Sequence, residues 1–332
     1  MIRWLRPLLV LTGLAMVGYL VAQIGPEVIW SSFVTLGWWL PVVLTVPYAL
    51  AAAVDTVAWR VLLPVPVPFL FLLRARLAGE AVSLATPTMT VGGDPLKAYL
   101  LRPWLPLRQG FASVIADKTT VVAAQVVFLA AGLTGACFAD TAPGRLLALM
   151  SGLLVIEIVA VSGFVLVQAS GALGGGGRLL GRLGRRMGMG GGERVQRGLG
   201  DLDRALAALY RDGRRRLVAS TVVHVVAWAA GALEIYLVQS LLGAPASLGV
   251  ALIIESFASG VKFASFMVPA SLGALEGGYV LFFEAFGLSA AAGLTYVLVR
   301  RLREIAWAIV GFAALGVSGR ATMRAPAEVP PA

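Results

Sequence analysis

The sequence predicts an all-α, polytopic membrane protein with about six full spans and two broken, re-entrant helical hairpins in an inverted arrangement. Hydrophobic residues make up 59% of the 332 residues and charged residues only 13%, whereas soluble domains are roughly 45–50% apolar and about 25% charged. Several apolar stretches reach about 18 residues or more, enough to cross a hydrocarbon core of about 30 Å. Residues 1–332 are therefore predicted to form a single membrane domain, with up to eight spans if both broken stretches cross fully.

Six uninterrupted apolar stretches are the predicted spans. The first follows Arg3 and Arg6 and resembles a signal peptide, but no clear small-x-small cleavage pattern follows it, which favours a retained anchor. Trp30, Trp38 and Trp39 precede the second span, as interfacial aromatic residues do. The six stretches are Leu5–Ala22, Trp38–Leu63, Phe111–Leu133, Leu146–Val167, Leu217–Leu242 and Leu288–Val317.

Two further apolar stretches are broken and look like weak copies of each other. In the first, Pro87 is followed seven residues later by Asp94; in the second, Pro269 is followed seven residues later by Glu276. Small residues fill both intervals, and broken helices repeated in two halves of a membrane protein are typical of a transport site. The two stretches are Ala75–Leu101 and Leu248–Phe286.

Proline and glycine are expected to open the helical backbone in both stretches. Proline removes an amide donor and clashes with the preceding turn, whereas glycine permits non-helical backbone. Such backbone is tolerated at membrane depth only where protein or a wet cavity surrounds it, and the amides that begin a half-helix suit an anionic group. The alternative is that proline and glycine are merely common in membrane helices. The predicted hinge residues are Pro87, Gly92, Gly93, Pro269, Gly273 and Gly277.

The distribution of positive charge predicts the orientation. The loop Gly171–Arg216 contains eleven arginines, no lysine and four acids, so the positive-inside rule places it in the cytoplasm. The same rule places there a turn at Arg74 and Arg76 and both termini, including a tail at residues 319–332 that we expect to be disordered. The first broken stretch then enters from the cytoplasm and the second from outside. Within the loop, Arg194–Tyr210 predicts a basic amphipathic helix at the anionic inner leaflet.

Charged residues inside the spans define the candidate site. A charge near the bilayer centre costs about 2.5–3.5 kcal/mol, so these groups must pair, reach the interface or line a polar cavity. Arginine is suited to phosphate because its planar fork binds two oxygens. The residues expected only to hold the bundle together by ion pairing are Asp55, Arg60, Glu157 and Glu234. The candidate cavity-lining residues are Glu80, Asp94, Lys97, Glu255, Glu276, Arg300 and Arg301.

The sequence offers few parts for enzymatic chemistry. Cys137 is the only cysteine and His224 the only histidine, so we predict no metal site, no cofactor and no catalytic residue, with His224 as a packed residue. No P-loop is present, and an intramembrane transferase stays a minor alternative. The basic loop accounts for the formal charge of +10, so no nucleic-acid partner is expected.

Two signatures resemble a known family. The stretch Gly79–Asp94, followed by Lys97, is similar to the first signature of the lysylphosphatidylglycerol synthase transmembrane-region family, and Val268–Gly277 is similar to the second. An arginine on the last span, here Arg300 or Arg301, completes the pattern. The resemblance covers nearly the whole chain. It implies a flippase-like domain that handles lipids in the bacterial cytoplasmic membrane.

The resemblance also frames two alternatives for function. Bifunctional members continue into a soluble aminoacyl-transferase domain, whereas this chain ends at Ala332 soon after the last predicted span, so we expect a stand-alone member. Stand-alone members include a branch associated with hopanoid biosynthesis. The first alternative is a flippase that moves an amphiphilic lipid between leaflets through a polar cavity. The second is a non-transporting membrane partner of a lipid- or hopanoid-modifying enzyme; membrane lipids are partners in both.

Overall fold

The computed structural model describes residues 15, 17–86, 92–139, 142–170, 192–244 and 246–322, and within them all regular secondary structure is helical. The prediction of an all-α polytopic membrane protein is confirmed. Short 3₁₀ turns cover Gly37–Trp39 and Pro269–Ser271. The helices are α1 (17–24), α2 (Pro26–Leu36), α3 (Leu40–Leu62), α4 (Phe69–Ala85), α5 (Asp94–Leu100), α6 (Leu107–Ala139), α7 (Gly144–Ala169), α8 (Gly192–Asp212), α9 (Arg214–Leu241), α10 (Leu248–Ala264), α11 (Ala274–Ala285) and α12 (Ala290–Thr322).

Four of the described helical segments are long and apolar enough to cross a membrane. They are Pro26–Leu62, Leu107–Phe138, Gly144–Gln168 and Arg214–Leu241. Helix α12 has 33 residues, long enough to cross, but residues 300–304 place four charges at its centre. The predicted span Leu5–Ala22 lies mostly outside the described residues.

The first broken stretch forms an antiparallel hairpin of α4 and α5, called the first hairpin below. Thr86 ends α4 in an extended conformation, as expected of a residue that precedes a proline. The returning arm then passes so close to α4 that a Cβ on Gly93 would lie 1.7 Å from the carbonyl oxygen of Gly79. The Gly93 amide donates to the hydroxyl of Ser83 at 2.9 Å. Only glycine fits at this crossing.

The second broken stretch forms a matching hairpin of α10 and α11, called the second hairpin. Phe257 of α10 lies edge-on against Phe282 of α11, with 5.7 Å between ring centres. The chain turns with positive φ at Ala270, Ser271 and Gly273, of 53°, 51° and 83°, whereas Leu272 between them is extended. Positive φ is uncommon for residues other than glycine, so the shape of this tip is specific.

Helix α4 packs along the C-terminal half of α12. The carbonyl oxygen of Leu77 would lie 2.3 Å from a Cβ on Gly311. Leu72, nearer the base of α4, belongs to the apolar cluster against which Leu315 packs. The two helices therefore run antiparallel, and the tip of the first hairpin points toward the centre of α12.

Helix α11 packs along the N-terminal half of α12. Gly293 of α12 meets Phe283 near the base of α11, where a Cβ on Gly293 would lie 3.0 Å from the phenyl ring. Toward the tip, Glu276 meets Arg301. The two hairpins thus lie along α12 from opposite ends, and both are joined to its charged centre, the second directly at Arg301 and the first through Tyr48 and Arg303. These contacts support the predicted inverted arrangement.

The long arm of each hairpin packs against the helix that follows the other hairpin. Helix α4 packs on α12, and α10 packs on α6, where a Cβ on Gly132 would lie 1.6 Å from the hydroxyl of Ser256. Gly110, the fourth residue of α6, lies against Ala98 of α5, just as the fourth residue of α12, Gly293, lies against α11. The same close approaches therefore occur in both halves.

The basic loop contains the predicted amphipathic helix, which is α8. It lies against α6, α7 and α9, with Leu206 buried and the hydroxyl of Tyr210 donating to Gln168 at 3.0 Å. Residues 171–191 of the loop lie outside the described residues. Helix α12 continues to Thr322, into the segment expected to be disordered.

Candidate functional site

The first hairpin places an acid at the start of a half-helix. Asp94 begins α5, and its carboxylate lies 3.3 Å from the Lys97 ammonium and 3.7 Å from the Lys118 ammonium of α6. Lys97 is buried against the backbone at Gly79, where a Cβ would lie 2.5 Å from the lysine chain. Asp94 and Lys97, both predicted site residues, therefore form one ion-paired group with Lys118.

The second hairpin does the same with Glu276, the third residue of α11. One carboxylate oxygen accepts from the backbone amide of Gly273 at 2.7 Å, and the other accepts from Arg301 at 2.8 Å. Arg301 also donates to the Ala270 carbonyl and to Glu304, both at 2.9 Å. The start of α11 is thus capped by the protein's own carboxylate. The anionic group that this helix start holds is therefore a side chain of the protein itself.

The two acids occupy equivalent places. Asp94 pairs with a cation 24 residues later on the next long helix (118 − 94), and Glu276 pairs with one 25 residues later (301 − 276). Each acid begins the short arm of its hairpin, and each cation lies on the helix that follows that arm. The matched pairs are the strongest sign that the weak sequence repeat is structural.

A second buried group lies deeper in the second hairpin. Glu255 of α10 pairs with Arg300 at 2.9 Å and accepts from the hydroxyl of Tyr279 at 2.7 Å. The hydroxyl of Tyr296 lies 3.4 Å from the same carboxylate. Space for this carboxylate is left by Gly231 of α9, where a Cβ would lie 2.8 Å from it. The charge of Glu255 is therefore fully compensated although the residue is buried.

The first hairpin has a corresponding group with the charges exchanged. Arg76 of α4 is buried and pairs with Asp55 at 3.0 Å, Glu80 at 2.9 Å and Asp117 at 3.5 Å. These carboxylates come from α3, α4 and α6, so one guanidinium ties three helices together. A cation in the long arm of the first hairpin thus corresponds to the anion Glu255 in the long arm of the second.

A chain of contacts links the two groups. The hydroxyl of Tyr48 donates to Glu80 at 2.5 Å, and its ring lies under the guanidinium of Arg303, 5.2 Å from ring centre to guanidinium carbon. Arg303 in turn binds Glu234 of α9. The ring of Trp307 also packs against that of Tyr48, with 4.7 Å between ring centres. The charged centre of α12 is therefore connected to the first hairpin.

All seven predicted site residues form ion pairs, three at the first hairpin and four at the second. At the first hairpin, Glu80 pairs with Arg76, and Asp94 pairs with Lys97. At the second hairpin, the paired residues are Glu255, Glu276, Arg300 and Arg301. The ion pairs of the two hairpins do not touch directly, and Tyr48 and Arg303 join them.

The four residues expected to serve ion pairing alone divide into two kinds. Asp55 and Glu234 are paired, with Arg76 and Arg303. Arg60 is exposed near the end of α3 and has no ion pair within the described ranges. Glu157 is fully buried in α7, and neither of its oxygens has a hydrogen-bond partner in the part of the chain that the structure describes. The pairing expectation is therefore wrong for these two.

Four of the predicted hinge residues lie in the breaks, namely Gly92, Gly93, Pro269 and Gly273. Pro87 lies outside the described residues. Gly277 lies inside α11, where its amide donates to the Gly273 carbonyl at 3.0 Å in a regular helical turn. The prediction of Gly277 as a hinge is wrong, because the turn is completed by Gly273 before the helix begins.

Sequence reasoning did not assign Arg76, Asp117 or Lys118 to the ion pairs of the first hairpin. Arg76 was assigned to a cytoplasmic turn, but it lies in the middle of α4. Its spacing of four residues from Glu80 is the helical ion-pair spacing, a signal that could have found it. His224 is packed, as predicted, but it also contacts Asp55 and Asp117.

The described part of the chain contains no group of three or more His, Cys, Asp or Glu side chains suited to a metal ion. The carboxylates near both tips are instead compensated by arginine and lysine. The arrangement can hold and exchange charged partners in a low-dielectric setting, where ion pairs respond strongly to a new charge.

Comparison with curated proteins and with solved structures finds no match. The family model described as the lysylphosphatidylglycerol synthase TM region matches residues 4–312. That range contains both hairpins and the charged centre of α12. Long apolar helices and this match identify an integral membrane protein. The chain belongs to the lysylphosphatidylglycerol synthase TM region family.

Proposed function

We propose that this protein moves an amphiphilic lipid between the two leaflets of the bacterial cytoplasmic membrane. The observation that carries the proposal is that two hairpins lie along α12 from opposite ends and are both joined to its charged centre. The headgroup would pass between the tips while the acyl chains stay in the bilayer. Hairpins that break near the midplane are typical of transport folds, in which each one closes the path from one side.

The ion pairs at the tips are suited to this task. Asp94 is about one-seventh exposed and Lys118 about one-third exposed, so this pair lies at the edge of the buried region. Glu304, which pairs with Arg301, is one-quarter exposed. Partly hydrated pairs can open and close again on a passing headgroup at lower cost than fully buried pairs.

An anionic headgroup fits the charge balance best. Lys262, in the last turn of α10, is exposed and has no carboxylate within ion-pair distance among the described residues. Its ammonium lies 5.8 Å from the ring centre of Trp228. Glu304 and Arg300 are among the charged groups that interact with it electrostatically. A lipid phosphate beside Lys262 would supply the missing counter-charge.

Reconstitution into liposomes with a fluorescent phospholipid tests the proposal. We expect wild-type protein to speed lipid movement between leaflets, and Asp94→Asn and Glu276→Gln to slow it at least tenfold. Each variant removes a charge and keeps the shape of the side chain. Arg60→Gln is the matched control, because it removes an exposed charge away from the tips. If both acid variants move lipid as fast as the wild type, the tips are not the path.

A second candidate is a non-transporting membrane partner that recruits a lipid- or hopanoid-modifying enzyme. The observation that favours it is α8, an amphipathic helix of the basic loop that lies on the ends of α6, α7 and α9. Burial raises the pKa of the Tyr210 phenol, so this anchor to Gln168 stays a hydrogen-bond donor at neutral pH. Deleting residues 171–212 tests this candidate: lipid movement that survives the deletion counts against the loop as the active part of the protein.

Sidedness is part of the proposal. We place both termini and the loop that contains α8 in the cytoplasm, because that loop contains eleven of the 24 arginines. Labelling single cysteines introduced at Gly37 and Gly198, in a Cys137→Ser background, tests it. Only Gly198→Cys should be protected from an impermeant reagent added to intact cells.

A further inference from the structure

The only histidine of the chain is clamped between two carboxylates. His224 of α9 is 1% exposed. Its Nδ1 lies 2.6 Å from an oxygen of Asp55 on α3, and its Nε2 lies 3.1 Å from an oxygen of Asp117 on α6. Each ring nitrogen therefore faces a different helix. This arrangement is not used by the proposed lipid path at the hairpin tips.

The geometry fixes how many protons the group holds. An ionised carboxylate only accepts hydrogen bonds, and a neutral imidazole has one N–H donor and one acceptor. Both contacts of His224 are satisfied together only if the ring carries both protons, or if one aspartate is protonated in its place. Two ionised carboxylates and a neutral ring would lack one proton that these contacts need. The Asp55–His224–Asp117 group therefore holds one additional proton.

The first hairpin shares the same carboxylates. Arg76 of α4 contacts the second oxygen of Asp55 at 3.0 Å and the second oxygen of Asp117 at 3.5 Å. The guanidinium and the proton on His224 are thus two positive charges that compete for one pair of carboxylates. Withdrawal of Arg76 would strengthen proton binding at His224, and loss of the proton would strengthen the hold on Arg76.

The charged and titratable surroundings of His224 come from every helix packed near it. Those close to the ring or to its carboxylate partners are Asp55 and Tyr48 of α3, Arg76 and Glu80 of α4, Asp94 and Lys97 of α5, and Asp117 and Lys118 of α6. Other titratable or charged groups lie near α9 but farther along it from His224. They are Tyr210 of α8, Glu255 and Lys262 of α10, and Arg303 of α12.

We infer that Asp55, His224 and Asp117 form a proton-binding site whose occupancy is linked to the position of the first hairpin through Arg76. This inference rests on the proposed lipid movement. The proton bound at the site is then the ion that is coupled to that movement. Linkage of this kind is reciprocal, so a hairpin that moves when lipid passes must also change the proton affinity of the site.

Nuclear magnetic resonance of ¹⁵N-histidine tests the site directly, because a protein purified with a tag that lacks histidine has a single imidazole. In lipid nanodiscs we expect the resonances of the wild-type ring to change with pH as the site gains and loses its proton. Arg76→Gln should raise the midpoint by about one pH unit, a tenfold gain in proton affinity, while Arg76→Lys, which keeps the charge, should shift it less. A ring whose resonances do not change with pH, or an Arg76→Gln midpoint equal to that of the wild type, overturns the inference.

An imposed pH gradient across liposomes tests the coupling. We expect the gradient to change wild-type lipid movement several-fold and to leave His224→Gln unaffected; Asp55→Asn, which keeps the histidine, serves if His224→Gln does not fold and should lose the response as well. Wild-type movement that ignores the gradient contradicts coupling and leaves lipid transport intact. If the wild type moves no lipid, the proposed function fails, and the resonance measurement still decides the proton site.

Discussion

The guanidinium of Arg303 lies over the ring of Tyr48, 5.2 Å from its centre. Arg303 comes from the charged centre of α12 and binds Glu234 of α9. Tyr48 comes from α3 and donates to Glu80 in the first hairpin. This one contact therefore joins the ion pairs of the two hairpins, and an aromatic face beside a cation is favourable in a setting without water.

Two substitutions of Tyr48 separate its hydroxyl from its ring. Tyr48→Phe keeps the ring beneath Arg303 and removes the hydrogen bond to Glu80, so we expect a loss of about 1.5–3 kcal/mol in stability. Tyr48→Leu also removes the aromatic face and should cost about 0.5–2 kcal/mol more. Thermal unfolding in detergent micelles measures both. Equal losses for the two variants would show that the ring contributes nothing beyond the hydroxyl.

Close packing between the halves predicts a sharp effect at Gly132. A Cβ there would lie 1.6 Å from the Ser256 hydroxyl, so Gly132→Ala should destabilise the protein by about 1–3 kcal/mol through overpacking. Gly152→Ala on α7 is the matched control: nothing lies within 4 Å of its added Cβ, and alanine gains up to about 1 kcal/mol in helix propensity. Thermal unfolding should separate the two.

Adding Ser256→Gly to Gly132→Ala tests the cause. In the double variant the glycine lies on α10 instead of α6, and the hydroxyl that clashes with the added Cβ is gone. We expect most of the stability lost in Gly132→Ala to return. A double variant as unstable as the single one would place the damage elsewhere than in this contact.

The sequence predicted the acids of the site better than their partners. Asp94 and Glu276 could be found because a proline and small residues at a fixed offset mark where a helix must break. Lys118, the partner of Asp94, could not, because 24 residues of chain separate them and only the packing of α5 on α6 brings them together. Spacing along one helix is local, whereas pairing between helices depends on the tertiary fold.

The errors at the second tip have a similar origin. The sequence predicted both Gly273 and Gly277 as hinges. Of these two residues, only Gly273 has a positive φ, whereas Gly277 is helical. The turn also uses left-handed backbone at Ala270 and Ser271, which residue preference disfavours. Such positions are held by their surroundings, here by Arg301 donating to the Ala270 carbonyl, and a propensity argument cannot foresee that.

Lys262 offers a test of headgroup charge. Lys262→Gln removes the cation that has no carboxylate partner among the described residues, so we expect it to slow the movement of an anionic fluorescent phospholipid several-fold more than that of a zwitterionic one. Lys262→Arg keeps the charge beside Trp228 and should retain the preference. Equal slowing of both lipids by Lys262→Gln would contradict recognition of the phosphate charge by this residue.

Two buried glutamates should respond to the same substitution in opposite directions. Glu157 and Glu234 are both fully buried, but Glu234 binds Arg303, whereas Glu157 has no hydrogen-bond partner in the described part of the chain. Glu157→Leu removes an uncompensated polar group and should stabilise the protein by about 1–3 kcal/mol. Glu234→Leu leaves Arg303 buried without its partner and should destabilise it by about 3–5 kcal/mol. Thermal unfolding of both variants in one detergent gives the comparison, and a loss of stability in Glu157→Leu would show that this carboxylate has a partner in the native membrane.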